Sequence, residues 1–204
     1  MKLTVTQFMT LDGVVDSPAG PDEAPNSGFE SAGWLPPYFD EKVTVFVAGI
    51  FDLASAFLLG RRTYDEMSAF WPSQEPPEGR DRVELNELPK YVVTSRDGEL
   101  TWAGSHRLTG DLATAVSALK SEPGEELQVH GSGTLVRSLA AARLVDTYRL
   151  LYFPVVLGRG RRLFEDAPPQ GLKLTDSAMS DSGVAMLTYD VVGQPQLANE
   201  APPT

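Results

Sequence analysis

"AFLLGRRTYDEMSAFW", Ala56 to Trp71, is a short apolar run, one glycine, two arginines and then a segment of helical character. An apolar run of this length bounded by glycine suits a strand covered on both faces, and a strand feeding straight into a helix is the unit of a parallel sheet. Thr63 and Glu66 fit the S/T-x-x-E capping box, which makes Thr63 the expected N-cap and Glu66 the expected N3 residue. Read this way, the helix starts without Arg61 and Arg62. Two uses are open to their charge. With Gly60 letting the backbone approach closely and free amides near Thr63, the guanidiniums compose an anion site; alternatively they pair with Asp65 and Glu66.

The rest of the chain extends the pattern. "KLTVTQFM" alternates and is rich in β-branched residues, so it reads as a first strand. Thr10 to Pro37 is rich in proline and glycine with few periodic apolar positions, and is expected to form a lid or cleft wall. Val43, Phe46, Val47, Ile50 and Ala54 make one apolar helix face, a helix of about four turns. "PSQEPPEGRDRVELNELP" is a surface connection, "KYVVTS" a buried strand, and Asp111 caps a helix running to Lys120. "ELQVHG" and "TYRLLYFPVVLG", the latter interrupted by Pro154, are further strands, with a helix in "SGTLVRSLAAA" between them. "GLKLTDSAMSDSGVAMLTYDVV" gives an antiparallel hairpin joined by "SDSG". The expected fold is α/β, with a mostly parallel central sheet, helices on both faces and a C-terminal antiparallel hairpin. One domain is expected over residues 1–192, followed by a flexible tail, 193–204.

Composition limits the partners. A net charge of -11 over 204 residues argues against nucleic-acid binding and against a polybasic membrane surface. The N-terminus shows no apolar signal region and no run long enough to span a bilayer, so a cytoplasmic location is expected. With no cysteine and only two histidines, His106 and His130, the sequence excludes disulfides, thiolate catalysis and Cys-based metal sites. A small-molecule ligand, rather than a metal, is left to carry the chemistry.

Ligands of open α/β sheets bind beyond the carboxyl ends of strands. Three such ends share one chemistry. Gly60, Arg61, Arg62 and Thr63 follow the first apolar strand, Thr94, Ser95 and Arg96 follow "KYVV", and Gly131, Ser132, Gly133, Thr134 and Leu135 follow "ELQVH". The last offers G-x-G without the third glycine of a dinucleotide fingerprint, since Val136 stands there, and a plain tight turn is the alternative. Arg159, Arg161 and Arg162 follow a fourth strand, and either meet a substrate phosphate or pair with Glu165 and Asp166.

"LLGRRTYDEMSAFWP", "KYVVTS", "VHGSGTLVRSL" and "LVDTYRLLYFPVVLGRGRRLF", in that order, closely resemble the dihydrofolate reductase-like family that includes the C-terminal reductase domain of the bifunctional riboflavin-biosynthesis protein. The likeness runs from the first strand to about Val192. It implies a three-layer dihydrofolate reductase-like fold binding NADPH across the carboxyl edge of the sheet. Gly60 to Thr63 would hold the adenine-side phosphates, Ser95, with Thr94, would approach the adenosine 2′-phosphate, and Gly131 to Leu135 would lie under the pyrophosphate. The activity implied is hydride transfer to a C=N or C=O of a pteridine- or pyrimidine-type substrate, such as the ribosylaminopyrimidine phosphate of the riboflavin enzyme. The likeness also implies a homodimer. On the substrate side it is thinner. Asp12 resembles the family's cleft-floor S-L-D-G segment and is the candidate catalytic group, or else a turn aspartate. Asp40, Glu41 and Asp52 stand in no matching context, and His130 either approaches the ligand or is a hydrogen-bonded neighbour. An NADP(H)-binding or partner-binding protein without turnover is the competing function.

Overall fold

The computed structural model describes residues 1–20, 29–73 and 85–197. Within them eight strands form one sheet: β1 (Lys2–Thr10), β2 (Ala54–Gly60), β3 (Lys90–Val93), β4 (Ser105–Leu108), β5 (Glu126–Val129), β6 (Thr147–Phe153), β7 (Gly171–Met179) and β8 (Ala185–Gly193). Their order is β4-β3-β2-β5-β1-β6-β8-β7. The first six pair in parallel, while β8 runs antiparallel to β6 and β7 antiparallel to β8. Among the described residues four complete helices pack on this sheet: α1 (Glu41–Phe51), α2 (Arg61–Phe70), α3 (Leu112–Ser121) and α4 (Gly133–Ala141).

Strand alternation sorts the side chains onto two faces. Leu3, Val5, Leu58, Leu127, Val129 and Leu150 meet Val116 of α3 and Leu135, Val136 and Leu139 of α4 in one cluster. The opposite face carries two apolar clusters. Phe57, Leu59 and Val92 pack with Phe51 of α1 and Tyr64 of α2, while Leu151 and Phe153 pack with Val43 of α1, Trp34 and Val184. Between these two clusters the sheet is polar. Thr4, Thr6, Glu126 and Gln128 are buried there on the side opposite Leu3, Val5 and Leu127, and Arg149 joins them. Burying a leucine such as Leu58 or Leu59 stabilises the fold by roughly 1.5–3 kcal/mol, and both are fully buried.

Four local expectations are corrected. The first helix ends at Phe51, and Ala54, assigned to its apolar face, opens β2 instead. The capping box does not form: Gly60 is the N-cap of α2 without a side-chain cap, Thr63 lies inside the helix, and Glu66 binds Arg62. A short edge strand, β4, stands where no strand was expected. β6 stops at Phe153, and Pro154 to Leu157 leave the sheet, because proline has no amide for the ladder. In the Thr10 to Pro37 segment the described residues pack down as a wall: Val14 bridges to Arg162, and Trp34, buried, donates from its indole to Asp16 O at 2.9 Å. The expected surface connection falls largely, and the expected flexible tail mainly, outside the described residues.

Candidate functional site

β2 and β5 are neighbours, and their glycine turns touch. Gly60 N donates to Gly131 O at 3.2 Å. A Cβ at Gly60 would lie 2.6 Å from Ser132 Oγ, and one at Gly131 would lie 2.8 Å from Thr63 Oγ1. Gly131 also has φ +137°, and its peptide bond to Ser132 is cis. Only glycine at both positions lets the start of α2 rest on the start of α4. Thr63, expected as a cap, is instead the side chain packed between the two turns.

The four helices differ at their N-termini. Asp40 Oδ1 accepts from Val43 N at 3.0 Å at the start of α1, and Asp111 Oδ1 accepts from Thr114 N at 2.9 Å at the start of α3. Neither Gly60 before α2 nor Ser132 before α4 supplies a side-chain cap. The first turns of these two helices, taken by no N-cap side chain and each at a strand end of the same sheet edge, form an anion-binding arrangement. Arg61 and Arg62 serve partly in the other role open to them. Arg61 Nε pairs with Asp65 at 2.7 Å and Arg62 Nε with Glu66 at 2.9 Å, both one helical turn on. Burial raises the Glu66 carboxyl, and the Arg62 guanidinium pulls it back. Arg61 still keeps a buried Nη1 without a hydrogen-bond partner, 3.7 Å from where a Cβ on Gly98 would lie. A buried guanidinium nitrogen left unpaired on the first residue of an uncapped helix fits a phosphate oxygen.

The third strand end is shaped by a residue that sequence reading missed. Arg107 of β4 donates to Arg96 O, and to Gly98 O at 2.7 Å, holding the loop after β3 against the edge. Arg96 N donates to Thr94 Oγ1 at 3.0 Å, while Ser95 and Arg96 are exposed. The Arg107 signal was hidden because "SHRL" is short and pairs with only one neighbour, β3.

The arginines after β6 have other partners than Glu165 and Asp166. Arg161 pairs with Asp16, with Nε at 2.6 Å and Nη2 at 2.5 Å, and Arg159 pairs with Glu30 at 2.6 Å. Asp12 accepts from Thr10 Oγ1 at 2.6 Å, Leu157 N at 3.2 Å and Gly158 N at 2.8 Å, with Arg162 Nη2 3.8 Å away. The Thr10 hydroxyl, then the two amides, hold its carboxyl below the usual range. An ionised carboxylate with both oxygens in use ties the two loops together; it is not set up to give a proton. At the start of α1, Asp40 is equally committed. Asp40 takes Val43 N on one oxygen and Ser182 N at 2.8 Å on the other, which lowers it to about 2, and Asp52 is the exposed C-cap of the helix. His130 follows β5 directly, beside the glycine turn, and stacks on Phe51 with centroids 4.9 Å apart. Two concavities lie elsewhere, about 200 Å³ against Tyr148 and Phe164 and about 460 Å³ against Trp102 and Pro72, and no glycine-turn residue lines either.

Among the described residues there is no cluster of histidine and carboxylates able to hold a metal ion, and no helix is long and apolar enough to cross a membrane. The chain is 28% identical over 135 residues to the uncharacterized protein YyaP of Bacillus subtilis (strain 168), covering 65% of this chain and 71% of that protein. Its fold matches a protein of Shewanella sp. PV-4 provisionally assigned to riboflavin biosynthesis, with TM-score 0.67, 19% identity and coverage of 94% and 99% of the two chains. It also matches dihydrofolate reductase of Enterococcus faecalis complexed with NADP(H), with TM-score 0.59, 12% identity and coverage of 94% and 96%. The fold is therefore dihydrofolate reductase-like. The family model of the RibD C-terminal domain matches residues 1–187, and the chain belongs to that family.

Proposed function

We propose that the chain is an NADPH-dependent reductase that passes hydride to a C=N or C=O of a pteridine- or pyrimidine-type substrate of the riboflavin or folate kind. The observation that carries this reading is the pair of uncapped helices, α2 and α4, meeting at touching glycine turns, with the unpaired Nη1 on Arg61, the first residue of α2. Two aspartates cap the other helices, so the uncapped helix starts belong to the edge where a dinucleotide would lie. Residues Gly60 to Thr63 and Gly131 to Leu135 would hold the pyrophosphate side, with Thr94, Ser95 and Arg96 near the adenosine 2′-phosphate. When bound, NADPH supplies the hydride.

The chain's own residues then position and shield. Phe8, Phe46 and Val47, packed against the cluster around Trp34 and Phe153, give a planar heterocycle an apolar wall beside α1. Asp12 and Asp40 are held ionised by their donors, so the proton is assigned to water. Family likeness extends the reading to a homodimer, which sedimentation at graded concentration would check.

The test is a titration of NADPH against wild type and an Arg61→Ala, Arg62→Ala variant whose fold is verified by circular dichroism. The variant should bind at least about tenfold more weakly, about 1.4 kcal/mol, through loss of a charge-assisted phosphate contact. Equal affinities would remove the cofactor assignment. Tight binding with no NADPH oxidation by pterins, dihydrofolate or ribosylaminopyrimidines would favour the binding protein over the enzyme.

A further inference from the structure

Four polar side chains on the α1 face of the sheet form a relay that the reading above does not use. Arg149 of β6 donates through both terminal nitrogens to Glu126 of β5, at 2.8 and 2.7 Å, across β1, which lies between the two strands. Glu126 Oε2 also accepts from Gln128 Nε2 at 2.9 Å, and the same nitrogen donates to Ile50 O of α1 at 2.6 Å. A carboxylate and a carbonyl only accept, so the Gln128 amide has one orientation. Its Oε1 is then the atom 3.1 Å from His130 Nε2, and that contact requires the proton on Nε2.

The rest of the imidazole follows. Its face stacks on Phe51 at an interplanar angle of 9°, and Phe57 lies 5.8 Å away, tilted. Burial, then the positive charge of Arg149, holds His130 down to about 4, so the ring is neutral near pH 7. A neutral ring with Nε2 protonated has a bare Nδ1, which has no hydrogen-bond partner among the described residues. The residue is partly exposed and immediately precedes Gly131 of the glycine turn.

We propose that the Arg149–Glu126–Gln128 relay makes His130 a specificity-determining residue, whose fixed Nδ1 acceptor recognises a ring N–H or amino donor on the heterocycle bound beside the glycine turns. The ligand class rests on the proposed function; the preset tautomer does not. With only two histidines in the chain, nitrogen NMR of histidine-labelled protein resolves both rings, and His106→Gln assigns them. Wild type should show His130 as the Nε2–H tautomer, and Gln128→Leu should produce a mixture. A diaminopyrimidine, titrated with and without NADPH, should shift the Nδ1 resonance, and His130→Leu should weaken this probe about tenfold while NADPH affinity stays within about twofold. An Nδ1–H tautomer in wild type, an unchanged tautomer in Gln128→Leu, or equal probe affinity in His130→Leu would each overturn the proposal. Failure of wild type to bind NADPH would instead remove the cofactor reading, and the cofactor-free arm would still decide the role of His130.

Discussion

Replacing Arg149 by methionine keeps an unbranched side chain but removes both donors that hold Glu126 at 2.8 and 2.7 Å. The two side chains are only 11% and 9% exposed, so water cannot take the place of the lost guanidinium. Glu126 is left with one neutral donor, the Gln128 amide at 2.9 Å. Orphaning a buried charge in this way costs about 3–5 kcal/mol, a large part of the roughly 5–15 kcal/mol that stabilises a typical domain. Lys42 and Asp181 supply the control. Their pair is as short, at 2.5 Å, but the side chains are 56% and 78% exposed, and Lys42→Met should leave the unfolding midpoint nearly unchanged. Urea unfolding followed by tryptophan fluorescence measures both, since Trp34 and Trp102 are buried. Glu126→Gln together with Arg149→Met should recover much of the loss, because the neutral amide leaves no buried charge. A loss below about 1 kcal/mol with an unchanged denaturant slope would refute the reasoning, for it would mean that water or relaxation solvates Glu126.

Gly131→Ala should both destabilise the protein and weaken NADPH binding, because φ is +137° and the new methyl would lie 2.8 Å from Thr63 Oγ1; a loss of about 1–3 kcal/mol is expected by thermal unfolding. Asp12→Asn should cost about 1–2 kcal/mol and speed hydrogen exchange at Gly158 N, which Asp12 holds at 2.8 Å, while NADPH affinity stays within about twofold; a large affinity loss would return Asp12 to the binding machinery. His130 gives a pH signature. Its folded value of about 4 lies below the ordinary 6.5, so the unfolded chain takes up the proton first, and stability falls as pH drops from 6.5 towards 4. The loss reaches at most about 3 kcal/mol, less in so far as water meets the partly exposed ring. His130→Gln should remove that part of the acid slope, and identical slopes for the two proteins would contradict it.

Residue order alone carried most of the architecture. An apolar run such as "AFLLG" is buried on both faces wherever it sits in a parallel sheet, and Asp111 caps its helix through an amide three residues away, so both are legible from local pattern. The same holds for the glycine turns, whose backbone needs no side chain. Elements that depend on distant partners were not legible. "SHRL" is a strand because β3 offers it an edge, and Ala54 leaves the apolar helix face because β5 pairs with it. Thr63 matched a capping box in sequence, yet the N-cap of α2 is Gly60, three residues earlier, where the turn rests on Gly131 and Ser132.

Local pattern was enough for most of the sheet, for its helices and for the three strand ends rich in glycine, hydroxyls or arginine, because those follow from periodicity and backbone freedom over a few residues. Tertiary structure alone decided how the charges are spent. Asp12 and Asp16 are bound into the loop after β6, Arg61 keeps one unpaired nitrogen at the edge, and Arg149, Glu126 and Gln128 fix the proton on His130. The partners in those contacts lie up to 146 residues apart in the chain, and electrostatic pairing depends on distance in space and on burial, neither of which a local pattern contains.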